Sequence, residues 1–235
     1  MNNPAPLGTG TEVRRLMRGR ATATLATQLA GSGWPYASLV LVATAGDGAP
    51  LLLLSRLAEH TKNIAGDARV SLLFDGTETS PSRLAGSRAT VLGRAMRTPD
   101  KGELGRFIAH HPEAEAYAGF ADFGLFRIAV ERAHLVAGFG RIHWVDEREI
   151  LLPPLAAAAF VAAEAKMLGM LNDDSAVRTQ LTRKLGPGEW TVCGIDSEGI
   201  DVRADTATAR LTFADALPDP GAIRAALDSA TTTPV

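Results

Sequence analysis

The stretch Leu54-Ser55-Arg56-Leu57-Ala58-Glu59-His60-Thr61-Lys62-Asn63-Ile64, followed by Asp67-Ala68-Arg69-Val70-Ser71-Leu72-Leu73-Phe74, passes from one apolar run to another through a polar turn and a short helix-compatible segment. Leu51 to Leu54 and Arg69 to Phe74 have the length and side chains of strands. Between them Ser55, Arg56, His60, Thr61, Lys62 and Asn63 can all donate hydrogen bonds, and the start of a helix adds free backbone N–H groups. Such a turn can cradle a phosphate: Arg56 or Lys62 would supply the charge-assisted bonds, and hydroxyls would fix orientation. The same residues also suit a plain surface helix, capped by Thr61, whose charges are solvated.

Working outward, the pattern is of short strands punctuated by turns. Thr9 and Glu12 have capping-box spacing, and Val13, Leu16 and Met17 follow at helical intervals. Strands are expected from Ala21 to Thr27 and from Trp34 to Thr44, with Asp47-Gly48 as a tight turn into Leu51. A polar loop holding Gly76, Ser80 and Pro81 precedes a strand from Ala89 to Met96. Thr98 as N-cap and Pro99 at the first helical position start a helix with Leu104, Phe107 and Ile108 on its buried face, and Pro112 stops it. Strands follow at Phe123–Val130, His134–Ala137 and Ile142–Val145, and the glycines of Gly138-Phe139-Gly140-Arg141 suggest a bulge. This is the pattern of a β-barrel with inserted helices, not of a parallel sheet.

At Leu151–Pro154 the composition changes. An alanine-rich helix from Leu155 to about Leu171, a second through Leu181, strands at 190–195, 200–202 and 211–213 and a last helix from Gly221 describe a small α/β unit. Two domains, 1–152 and 153–235, are expected, with few contacts crossing the boundary, so that a chain ending at Leu152 should still fold.

The 235 residues carry 24 basic and 26 acidic side chains, a formal charge of −2, so no global field draws the protein to nucleic acid or an anionic membrane. Cys193 is the single cysteine. That excludes an internal disulfide framework and a thiolate zinc site, and suits a reducing, cytoplasmic setting. Neither a signal peptide at Met1–Gly10 nor an uninterrupted apolar span of roughly 20 residues is evident.

The segment 54–74, then His111-Pro112-Glu113-Ala114-Glu115, Tyr117-Ala118-Gly119-Phe120-Ala121-Asp122-Phe123 and Leu135-Val136-Ala137-Gly138-Phe139-Gly140-Arg141, in that order, resemble the haem-utilisation branch of the FMN-binding split-barrel, or pyridoxamine 5'-phosphate oxidase-like, family. The resemblance spans roughly Thr11 to Leu152. It implies an α+β fold: a six-stranded antiparallel split β-barrel with peripheral helices, followed by the small α/β domain. It also implies a homodimer with cofactor sites between protomers, consistent with 46 % hydrophobic residues.

Carried over, Ser55, Arg56, His60, Thr61, Lys62 and Asn63 become phosphate-side candidates, and Arg141 could meet a flavin phosphate or a haem propionate, or form a salt bridge. FMN is the cofactor expected first, in an oxidoreductase of unstated substrate. Nothing matches the substrate-binding tail of true pyridoxamine phosphate oxidases, so vitamin B6 oxidation is not expected. Haem is the alternative cofactor, and a cofactor-free binding protein the third reading. Haem needs an iron ligand from His60, His110, His111, His134 or His143, and His143 is the candidate, with Asp122 of a neighbouring protomer orienting the imidazole. One departure bears on this: relatives carry a His-Met-Asn-x-Asp-His helix where this chain has Met170-Leu171-Asn172-Asp173-Asp174-Ser175, with neither histidine. No metal role is expected there.

Overall fold

A computed structural model describes residues 8–78, 80, 82–138, 140–205 and 207–233. The expectations placed on Met1–Leu7, Pro81 and Phe139 lie outside the described residues.

Eight strands, β1 (Thr22–Gln28), β2 (Pro35–Leu41), β3 (Ala43–Thr44), β4 (Pro50–Ser55), β5 (Arg69–Gly76), β6 (Ser87–Arg97), β7 (Phe123–Ala137) and β8 (Ile142–Asp146), form one antiparallel sheet. Its order is β2-β1-β5-β6-β7-β4-β3, with β8 added to β7. The two ends of that path are one piece of chain. Only Val42 separates β2 from β3, so residues 35–44 pair with β1 first and β4 next, closing the sheet on itself. Taken as one bent strand, this segment completes a six-stranded antiparallel barrel, with β8 as an added edge. The wall parts along β7: β6 follows its length on one side, whereas β4 pairs with Phe123–Arg127 and β8 with Arg132–Val136 on the other.

Two strands were expected where β7 is continuous. Leu92 faces Arg132 and Gly93 faces Val130, so Glu131 is the extra residue of a β-bulge. Glu131 and Arg132 are therefore both exposed, which breaks the alternation that sequence reading relies on. Gly93 is required there, since a Cβ would sit 2.4 Å from the Ala129 carbonyl oxygen. The bulge is thus not at Gly138–Arg141. Gly138 and Gly140, at φ of 104° and 78°, instead turn the chain from β7 into β8.

Helix α1 (Thr9–Arg18) seals the barrel with Val13 and Met17, both fully buried beside Leu25, Leu72, Phe74, Ile128 and Leu135. Its capping box does not form. Gly8 is the N-cap, and Glu12 accepts instead from Ser87 Oγ at 3.1 Å and Arg141 Nη2 at 2.6 Å. Helix α2 (Glu59–Gly66) joins β4 to β5. Helix α3 (Lys101–His110) starts at Asp100 rather than Thr98, because Asp100 Oδ1 accepts from the N–H groups of Gly102 and Glu103.

The short helices α4 (Glu115–Ala118) and α5 (Glu147–Ile150) precede α6 (Pro154–Asp173) and α7 (Ser175–Leu185). These lead into a second antiparallel sheet, ordered β12-β11-β10-β9, of β9 (Thr191–Asp196), β10 (Gly199–Ala204), β11 (Ala207–Thr212) and β12 (Thr231–Thr233). Phe160 and Leu171 of α6 share its core with Val177, Leu181, Ile195, Ile200, Leu211 and Phe213. By length and composition α6 could cross a membrane, and 17 % of its most apolar window, namely Ala157, Phe160 and Leu171, is buried in protein.

The expectation of few contacts across 152/153 is not met. Arg210 donates to Asp196 Oδ1 at 2.8 Å and to Asp201 Oδ1 at 2.6 Å, and barrel-side arginines join the pair. Arg18 Nη1 lies 3.0 Å from Asp196 Oδ2, Arg106 Nη2 is 3.3 Å from Asp201 Oδ2, and Arg106 also pairs with Glu164. Arg14 Nε donates to Glu198 at 2.7 Å. Burial alone would raise the Asp201 carboxyl, but Arg210 and His110 outweigh it and hold it well below the usual carboxylate range. Gly194 makes this crowding possible, since a Cβ would stand 2.8 Å from both Asp201 Oδ2 and His110 Cε1.

Candidate functional site

The polar turn after β4 is fixed by Asp122, the residue before β7. Ser55 Oγ donates to Asp122 Oδ2 at 2.6 Å, Arg56 N donates to its carbonyl at 2.7 Å, and Leu57 N donates to Ser55 Oγ at 3.1 Å. Ser55 therefore shapes the turn. Asn63 is buried and bridges away from the surface, donating to Thr27 Oγ1 at 3.0 Å and accepting from Ala30 N at 3.1 Å, which pins α2 to the end of β1. His60 turns to β2, where Nδ1 meets Ser38 Oγ at 3.1 Å, and partial burial holds its pKa below the ordinary histidine value.

Arg56, Thr61 and Lys62 do come together. With Leu54, Ile64, Ala65, Ala95, Arg97, Asp122 and Phe126 they line a cleft of about 410 Å³. Its floor is apolar and its rim carries three exposed cations, Arg56, Lys62 and Arg97. The Arg56 side chain has no acceptor among the described residues. Lys62 Nζ is 3.2 Å from Glu59 Oε2, but both groups are about half exposed (56 % and 43 %), so that pair is worth little and yields readily to a ligand. Arg97 lies over the Phe126 ring at 5.9 Å. Thr61 is 8 % exposed, and its Oγ1 has no hydrogen-bond partner among the described residues. A buried hydroxyl without a partner costs about 1–3 kcal/mol, and an acceptor entering the cleft removes that cost.

Arg97 was not among the candidates from sequence. It closes β6, and only the β6–β7 register, which sets it opposite Phe126, brings it to the cleft. Gly124 leaves room for it, since a Cβ there would lie 2.3 Å from Arg97 Nη2.

Arg141 is not at the cleft: it forms a salt bridge with Glu12 of α1. His143 and Asp122 are not brought together within one protomer. His143 faces Leu135 near the far end of β7, whereas Asp122 precedes its start, a separation of roughly 40 Å along the strand at about 3.3 Å per residue. Of the other histidines, His111 Nε2 is 2.9 Å from the Val42 carbonyl oxygen, and His110 sits in the ionic interface with Asp201. His134 stacks tilted on Trp144 at 4.8 Å, and Arg132 lies over the Trp144 ring at 4.5 Å.

The topology and the cleft beside α2 define an antiparallel split-barrel protein with room for an oxyanion. Residues 9–137 match the family model described as pyridoxamine 5'-phosphate oxidase, and the chain belongs to that family. Over 131 residues it is 31 % identical to the chloroplastic heme oxygenase HOZ of Arabidopsis thaliana, covering 54 % of this chain and 40 % of that protein. The chain thus spans about two-fifths of the length of that relative. Among solved structures, Atu2129 from Agrobacterium tumefaciens, described as of unknown function, aligns over 97 % of both chains with a TM-score of 0.80 and 27 % identity. A heme binding protein from Mycobacterium smegmatis aligns over 96 % of both chains with a TM-score of 0.59 and 28 % identity.

Proposed function

We propose that the cleft holds the acidic end of a planar redox cofactor, and that two copies of the chain share each cofactor. The observation that carries this is the convergence of Arg56, Lys62 and Arg97 on a buried Thr61 hydroxyl that lacks a partner. Within one protomer this donor set suits the phosphate of FMN: three cations match a nearly dianionic group, Thr61 donates to one oxygen at depth, and no iron ligand is needed. FMN, when bound, supplies hydride or electron transfer, and the protein supplies orientation and charge. The reaction class is then that of an FMN-dependent oxidoreductase in the cytoplasm.

A second reading, haem, is favoured by the names of HOZ and the mycobacterial protein. The same cations suit two propionates, and the exposed His143 is the iron ligand this reading requires, with Asp122 of the partner subunit orienting it. No histidine lines the cleft itself. Absorbance of the purified protein, then reconstitution with each cofactor, separates the readings. A flavin band near ~450 nm supports the first, a band near ~400 nm the second, and failure to take up either removes both.

The outer face of the barrel supports a homodimer. The register sets Leu39, Thr24, Leu73, Thr90, His134 and Trp144 in one row across β2, β1, β5, β6, β7 and β8. Leu39, Leu73 and Trp144 remain 75 %, 40 % and 58 % exposed, which a second copy would cover. Light scattering should give twice the chain mass, and Leu73→Asp should halve it. A wild-type monomer that retains its cofactor would overturn the shared-site proposal.

A further inference from the structure

Away from the cleft, the seam between the barrel and the second sheet buries more positive charge than negative. Arg14, Arg18, Arg106 and Arg210 pair there with Glu164, Asp196, Glu198 and Asp201, four cations against four carboxylates. His110 is a fifth cation. Its Nδ1 lies 2.9 Å from the Arg106 carbonyl oxygen and its Nε2 3.3 Å from Asp201 Oδ2. Asp201 is itself held as a carboxylate by Arg106 and Arg210, so both ring nitrogens face acceptors and both carry protons. One positive charge is thus left over in a buried place, which is strongly unfavourable unless a counter-ion is held beside it.

A cavity of about 20 Å³ lies at this point, lined by His110, Arg18, Arg20, Thr44 and Asp201 among others. It admits one particle the size of a water molecule or slightly larger. Two donors on its wall are unspent. The Arg18 side chain is fully buried, and its Nε has no acceptor among the described residues. Thr44 is 2 % exposed; its Oγ1 accepts from Arg18 Nη1 at 3.3 Å and keeps its own proton for another acceptor. Arg20 adds charge, since its carboxylate partner, Glu78, is 3.6 Å away and largely exposed. The oxygens of Asp201, the one carboxylate on the wall, are turned to Arg210, Arg106 and His110. His111 is engaged elsewhere, by the Val42 carbonyl oxygen.

We propose that this cavity is a halide site, in which a chloride ion is held by Arg18 Nε, the Thr44 hydroxyl and the His110 charge and ties the barrel to the second sheet. A water molecule would accept from Arg18 but leave the charge unbalanced, and phosphate or sulfate is too large for the space. Part of the lining, Arg20, Ala21 and Thr208, is half-buried or exposed, so the cavity lies against the surface and the ion can reach it. The site is separate from the cations of the α2 cleft and does not depend on which cofactor binds there.

The test uses the full chain. Crystals grown with bromide in place of chloride should show one anomalous-scattering peak per chain at the seam, within hydrogen-bonding reach of Arg18 Nε; an ordered water gives none. In solution, the urea midpoint should rise and then level off as chloride replaces gluconate, an anion too large for the cavity, at constant ionic strength. Between zero and about 100 mM chloride the folding constant should increase about tenfold or more, as for a site with a dissociation constant of about 10 mM or less. His110→Gln removes the extra charge and should abolish this saturable rise, whereas a general salt effect would survive it. Bromide crystals with only water at the seam, or a midpoint indifferent to chloride, would show that the seam balances its charge without an ion and would overturn the proposal. If His110→Gln does not fold, the bromide peak in the wild type decides alone.

Discussion

On the proposed FMN reading, replacing Arg56 and Lys62 together with alanine should lower FMN affinity by about two orders of magnitude or more, while His143→Ala should leave it unchanged. Each charge-assisted hydrogen bond contributes roughly 1.5–3 kcal/mol, and both cations rim the cleft with no buried partner to restrain them. Arg97→Ala should cost less, because Phe126 already takes part of its charge. Titration of apo-protein followed by flavin fluorescence quenching measures all three, with circular dichroism as the folding control. A double variant that binds FMN like wild type would place the phosphate elsewhere. If His143→Ala abolishes binding of added haem, and wild type takes haem in preference to FMN, the haem reading replaces the flavin one.

Ending the chain at Leu152 should abolish cooperative unfolding of the barrel, the opposite of what composition alone predicts. Arg14, Arg18 and Arg106 would lose Glu198, Asp196, Asp201 and Glu164 at once. Removing one partner of a buried pair costs about 3–5 kcal/mol, against a typical total stability of about 5–15 kcal/mol. In the full chain, Asp201→Ala gives the same effect singly, since it leaves Arg106, Arg210 and His110 without a shared acceptor. Urea unfolding followed by tryptophan fluorescence and circular dichroism should show non-coincident transitions for the truncated chain. Coincident, wild-type-like transitions would show that the barrel stands alone.

The same interface sets a pH dependence. Asp201 titrates lower in the folded chain than in the unfolded one, so its contribution is present above the ordinary carboxylate range and is lost as pH falls through its folded value. His110 titrates higher when folded, so its contribution is complete below about 6.5 and is lost as pH rises towards about 10. The urea midpoint should therefore fall between about pH 7 and 10, and His110→Gln should flatten that limb.

The segment 54–64 could be read as a site because its residues are contiguous: a polar turn between two strands is visible in one window. Which side chains point into the cleft could not be read, because Ser55, His60 and Asn63 are taken up by Asp122, Ser38, Thr27 and Ala30, partners far off in the chain. Strand positions followed from alternation until Glu131, where the bulge put two exposed residues in succession. The ionic seam was invisible for another reason. Residues 14, 18, 106, 196, 201 and 210 form no local pattern, and a buried arginine has the same letter as a solvated one. The short strand Thr231–Thr233 was missed because three threonines carry no apolar alternation.

Closure of the barrel by residues 35–44 bears on how the chain comes to be active. Ser55 meets Phe123 and Arg97 meets Phe126 only after strands remote in sequence have paired, so the cleft does not exist in any locally folded fragment. Topologies dominated by such distant pairings fold on the millisecond-to-second scale, and a molecule that needs the finished cleft cannot hasten the search. It acts afterwards, by mass action on the completed fold, contributing about 2.7 kcal/mol at a hundred times its dissociation constant. Under the proposed function, cofactor supply should therefore govern how long the protein survives degradation in the cell rather than how fast it forms.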